Sequence, residues 1–185
     1  MIKEIFKYFA KFPAKSGVLA IANVGSQSPD YNALISDLQS TLPEQSILPS
    51  VAHYLYVQSF EELQDRLPHL PGTFLMVDYG EITMTTDGRR SVRGTMRLAV
   101  TIATRLDQRT DGLARLLASD ATLHQVTTLY THLITDVEKA RFPYASRDTI
   151  YDSEIVPFVA TELSASGWTL MLDITSPDPL NTHPQ

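Results

Sequence analysis

Residues Phe74 to Thr85 read FLMVDYGEITMT and residues Val92 to Arg105 read VRGTMRLAVTIATR, with Asp87-Gly88 between them. Both stretches are rich in aliphatic, aromatic and β-branched residues, and Asp-Gly is a strong turn dipeptide. The pair therefore predicts a long β-hairpin with a loop of several residues. In the second arm Met96, Leu98, Val100 and Ile102 alternate with Thr95, Arg97, Ala99, Thr101 and Ala103. That period of two predicts a strand burying one face only. Arms of about a dozen residues reach roughly 35 to 40 Å, beyond what a single small core needs.

Helical spacing follows the hairpin. After Asp111 come Leu113, Leu116 and Leu117, then, past a restart at Ser119 or Asp120, Leu123, Val126, Leu129, Tyr130, Leu133, Ile134 and Val137. This is the longest amphipathic stretch, and its apolar stripe is expected to pack on the sheet. Phe142 to Phe158, with Pro143 and Pro157, reads as irregular. A last alternating strand carries Trp168, Leu170, Leu172 and Ile174 on one face, and Pro177, Pro179 and Pro184 make residues 177–185 an extended tail.

Toward the N-terminus, Val51 to Val57 (VAHYLYV) is β-branched and aromatic and predicts a strand. Ser59 with Glu62 forms a capping box, predicting a short helix over Phe60 to Leu67 that ends at Pro68. Tyr31, Leu34, Ile35, Leu38 and Leu42 form a helical stripe with Asp30 as N-cap and Pro43 as stop. Gly17 to Val24 (GVLAIANV) reads as a short buried strand. Ile2, Ile5, Phe6, Phe9 and Phe12 recur at helical spacing before Pro13, with lysines opposite. This basic helix is expected to dock on its own domain or a neighbouring subunit, in preference to a membrane surface. Together these elements give an α+β fold, a mixed and mostly antiparallel sheet with helices on one face. Residues 1–176 are expected to form one domain, with 1–70 as an N-terminal elaboration.

Composition bounds the rest. The chain has 185 residues, 43 % hydrophobic and 19 % charged, and no cysteine. Scaling puts a compact chain of this mass at roughly 8,900 Å² of surface, with about 70 % of the extended chain's surface buried. Without cysteine there is no disulfide framework, thiolate metal site or thiol nucleophile. No run of 18 apolar residues exists, and charges interrupt Met1 to Phe12, so neither a membrane-spanning helix nor a cleaved export signal is expected.

The net charge of −6 is uneven. Lys3, Lys7, Lys11 and Lys15 against Glu4 give +3 over residues 1–15. Seven arginines against Asp107 and Asp111 give +5 over 89–115. The remainder is acidic, so general coating of nucleic acid is not expected. Arg89, Arg90, Arg93 and Arg97 fall on the hairpin tip, flank and polar face, and guanidinium groups suit carboxylates and phosphates. These four are the candidate partner-binding residues, and the basic helix and basic hairpin are where a neighbouring subunit is expected.

Chemistry-bearing patterns are few. His124 and His132 stand eight apart, too far for one mononuclear zinc site on a helix. No nucleophile elbow and no phosphate-binding glycine motif occurs. Glu61 and Glu62 suit a helix N-terminus; Asp148, Asp152 and Glu154 lack the ladder and glycine of a calcium loop. The aromatics Tyr54, Tyr56, Phe74, Tyr79 and Trp168 fit core packing better than a base-stacking platform. No catalytic residue, metal or cofactor is expected.

The order from about Leu70 to Ile174 resembles that of bacteriophage tail-terminator, or tail-completion, proteins. The resemblance rests on LPHLPGTFLMVDYGEI, GTMRLAVTIATR, DGLARLLASDATLHQVTTLYTHLITDV and GWTLMLDIT. It implies a virion structural protein, assembled in the bacterial cytoplasm, that closes into a hexameric ring capping the tail tube and catalyses no reaction. Its partners would be other copies of itself and phage tail-tube or neck proteins. The chain departs from that pattern in the 70 or so residues before the first matched strand, where one helix is usual. The alternative is a small bacterial α+β module that binds a partner or ligand of unknown specificity.

Overall fold

A computed structural model describes residues 1–21, 28–57, 64, 70–86, 92–106, 110–142, 150 and 152–176, with backbone alone at Val57, Thr86, Val92, Arg93, Thr175 and Ser176. The elements run α1 (Ile2–Ala10), α2 (Lys15–Leu19), α3 (Pro29–Thr41), β1 (His53–Val57), β2 (Thr73–Thr86), β3 (Val92–Arg105), α4 (Gly112–Glu138), β4 (Glu154–Ala160), a 3₁₀ turn (Thr161–Leu163) and β5 (Ala165–Ser176). The five strands make one mixed sheet in the order β1-β2-β3-β5-β4. β1 and β2 are parallel, and the other pairs are antiparallel. This is the α+β architecture the sequence predicts, with the β2–β3 hairpin at its centre.

Strand alternation fixes the main core. Leu75, Val77, Met96, Leu98, Val100, Ile102, Leu170, Leu172 and Ile174 are all buried and pair across the strands on one face. Against this face pack Ile5 and Phe9 of α1, Leu38 of α3, and Val126, Leu129 and Leu133 of α4. The aromatic residues serve the core: Tyr54 is buried with its hydroxyl donating to the Phe6 carbonyl at 2.9 Å, and the Trp168 indole N–H donates to the Ser119 carbonyl at 3.0 Å.

Three of the expected elements differ. The run that begins at Gly17 is not a strand: Lys15–Leu19 is a short helix, and 22–27 lie outside the described residues. Short apolar runs do not separate buried helix from buried strand by periodicity, and here docking decides. Gly17 sits so close to the start of β1 that a Cβ would stand 1.9 Å from the Ala52 carbonyl oxygen. The segment read as irregular through Phe158 ends in β4, which starts at Glu154 and runs on to Ala160, and whose Pro157 is tolerated because β4 is a sheet edge. The third helix is capped at Ser28, not Asp30, because Pro29 takes the first helical position, where its fixed φ fits. The capping box at Ser59 and the helix expected over 60–67 lie outside the described residues, apart from residue 64, as does the Asp87-Gly88 turn.

The expectation of one buried face also needs correction. On the second face Leu55, Phe74, Met76, Ala103, Leu163 and Ala165 form a smaller buried cluster, with Leu70, Phe158 and Ala160 against it. Beside them Thr101 and Thr169 face each other across β3 and β5, buried and hydrogen-bonded hydroxyl to hydroxyl at 2.7 Å. The second face is thus apolar near the base of the hairpin and polar toward its tip, where Arg97 stands exposed.

Candidate functional site

The four arginines reach the structure unequally. Arg89 and Arg90 lie outside the described residues, and Arg93 is placed by its backbone, opposite Thr85. Arg97 stands opposite Asp173 in the β3–β5 ladder, and its Nε lies 3.5 Å from the Asp173 carboxylate. Both side chains are exposed, so the pair contributes little to stability. A groove of about 360 Å³ beside it is lined by Arg97, Asp152, Glu154, Met171, Leu172 and Asp173. Around Arg97 the balance is therefore one guanidinium against three carboxylates, so this part of the hairpin face is acidic. Among the described residues no cluster of His, Asp and Glu is arranged to hold a metal ion.

Three of the four N-terminal lysines, Lys7, Lys11 and Lys15, are engaged within the chain. Lys7 meets Asp37 of α3 at 2.7 Å and Glu4 at 3.3 Å, and Lys15 meets Glu44 at 2.6 Å. Lys11 pairs with Asp136 near the end of α4, lying over the Tyr8 ring, while the Tyr8 hydroxyl donates to the same carboxylate at 3.1 Å. Arg141 approaches the other carboxylate oxygen at 3.9 Å. Burial pushes the Asp136 carboxyl up, but Lys11, Tyr8 and Arg141 outweigh it and hold it below the ordinary carboxylate range. Burial, with Asp136 alongside, pushes the Tyr8 phenol well up. This cluster ties α1 to α4; sequence could not reveal it, since Lys11 and Asp136 are 125 positions apart. The N-terminal helix docks on its own domain, with Ile5 and Phe9 fully buried.

What the sequence assigned to the core and the fold leaves outside is the first two turns of α4. The helix runs unbroken through Ser119 and Asp120, capped by Asp111, whose carboxylate accepts from the Ala114 N–H at 2.8 Å. Leu113, Leu116 and Leu117 are 67 %, 64 % and 62 % exposed. The signal was present in the helical phase. Thr122, Val126, Leu129 and Leu133 face the sheet, and that line projects back through Ala118 and Arg115. The three leucines instead share the line of Asp120, His124 and Thr127, about half a turn away. Beside Arg115 a groove of about 180 Å³ runs along Leu106, Val159, Ala160, Thr161, Ser164, Ala165 and Ser166, and Val159 is itself 72 % exposed.

Searches of protein-family models, curated proteins and solved structures return no match. The functional reading therefore rests on these surfaces.

Proposed function

We propose that the chain is a structural subunit of a phage or prophage virion, in the manner of a tail terminator, which closes into a ring at the end of the tail tube through contacts between its own copies. The observation that carries this reading is the unpartnered leucine face at the start of α4. Three adjacent leucines turned to water are a surface that association would bury. The central hairpin adds support: its arms run 14 residues each, and past Met96 the apolar side chains Ile82 and Met84 stand about two-fifths exposed. Both features extend an otherwise well-packed α+β body, as elements that meet a neighbour do.

Mass photometry and sedimentation velocity of the 185-residue chain, alone and with tail-tube subunits, test the reading. Closed oligomers of one size are expected. A monomer at every concentration, with tail-tube subunits present or not, overturns it.

A further inference from the structure

The sheet-facing line of α4 changes character at its start. Thr122, Val126, Leu129 and Leu133 are buried along it, and its continuation through Ala118 ends in a charge, Arg115. The groove of about 180 Å³ that Arg115 lines is polar in the same place, for it shares that lining with Thr161, Ser164 and Ser166. Among the described residues none hydrogen-bonds to the three hydroxyls. No carboxylate is part of the lining: Glu162 stands exposed beside it, and Asp111 is committed to the Ala114 N–H as the helix cap. The Arg115 Nε donates to the Thr110 carbonyl at 3.1 Å, which positions the side chain with one of the five donors of a guanidinium.

The turn that brings the hydroxyls here is strained. Ser164 lies at φ +49 and ψ +42, a left-handed conformation that glycine adopts freely and serine does not. The turn is pinned on both sides, since the Ser164 N–H donates to the Thr161 carbonyl at 3.1 Å and the Ser164 carbonyl accepts from the Leu106 N–H at 2.7 Å.

We infer that this groove binds a phosphate group, with the Arg115 guanidinium as the charge partner and the Thr161, Ser164 and Ser166 hydroxyls as donors around it. A guanidinium fork suits carboxylate and phosphate alike. The two oxygens of a carboxylate are taken up by that fork, whereas a phosphate keeps a further strongly accepting oxygen for the hydroxyls. Size limits the ligand further. Pockets for drug-sized molecules start at about 300 Å³, so this groove holds the phosphate group and leaves the rest of any ester in solvent. The strained serine fits the same reading, because strain that a glycine would relieve is kept where the side chain has a ligand to meet. The inference is independent of ring assembly.

The test is an amide NMR titration of the full-length chain with inorganic phosphate, phenyl phosphate and acetate, against sodium chloride at matched ionic strength. Inorganic phosphate is expected to shift the amides of Leu106, Arg115 and residues 159–166, and acetate to bind at least about tenfold more weakly. Phenyl phosphate binding as well would admit phosphate monoesters, and its failure would restrict the groove to the free ion; either upholds the site. Arg115→Gln should weaken phosphate at least about tenfold. Ser164→Gly should weaken it at least about threefold while raising the melting temperature without phosphate by about 2 °C, because the strain is gone. Circular dichroism confirms that both variants are folded, so that lost binding is not lost structure. Shifts that chloride reproduces, acetate binding as tightly as phosphate, or native affinity in either variant would overturn the inference, and none of these outcomes bears on the oligomer sizes that decide ring assembly.

Discussion

At the scale of single residues, the acid sensitivity of the fold centres on Asp136. Its carboxyl is held below the ordinary range of about 3.9 by Lys11, Tyr8 and Arg141 against the opposing effect of burial. A group whose pKa is lower folded than unfolded contributes stability that is present above the unfolded value and lost as pH falls through the folded one. The expected outcome is that Asp136→Asn costs about 2 kcal/mol at neutral pH, measured by urea unfolding. The cost should shrink as pH falls below about 4, where the unfolded chain takes up the proton first and the native carboxylate follows only at lower pH. An equal loss at pH 7 and pH 3 would show that the cluster's charge is irrelevant. Gly17 offers a second prediction of this kind. Its missing Cβ would meet backbone, which has no rotamer through which to yield, so Gly17→Ala is expected to cost about 3 kcal/mol. A variant with native stability would mean that α2 can shift away from β1.

Within one element, α4 holds two kinds of leucine, and they should behave oppositely. Leu129 and Leu133 are fully buried against the sheet, so replacing either by alanine is expected to cost about 3 kcal/mol. Leu116→Ala should leave the dilute monomer within about 0.5 kcal/mol of native. Urea midpoints of the three variants check this, and a large loss for Leu116→Ala would mean that the face is already covered within the monomer. The same helix marks the limit of what the sequence told. Its spacing announced a long helix, and the alternation of Met96 to Ile102 announced the covered face of β3, because local periodicity is read directly from residue order. That Leu113, Leu116 and Leu117 belong to a different face from Val126 and Leu129 was legible only by carrying one helical phase through the whole segment. The Gly17 run failed because docking, not propensity, chose its conformation. The Lys11–Asp136 pair and the acidic surroundings of Arg97 were beyond reach, since each is assembled by strands and helices distant in the chain.

Over the whole molecule, the hairpin beyond Met96 and the first two turns of α4 are the described elements that turn groups of large apolar side chains to solvent. A protein that associates through such surfaces is stabilised by mass action, because only folded subunits bind. The melting temperature of the native chain is therefore expected to rise with protein concentration, while that of the Leu116→Glu, Leu117→Glu variant stays constant. Differential scanning calorimetry over a hundredfold range of concentration checks this, and parallel behaviour of the two proteins would sink the association model.

The tie between α1 and α4 has a consequence in time. Tyr8 finds its partner carboxylate 128 residues further on. On a ribosome adding about 5 to 20 residues per second, the first helix waits on the order of ten seconds before Asp136 exists for Lys11 to meet. Throughout that interval Ile5, Phe9 and Phe12 have no α4 to close over them. The N-terminal helix is thus the first piece of the core to be made and the longest to wait for its partners, a nascent segment that chaperones would find first.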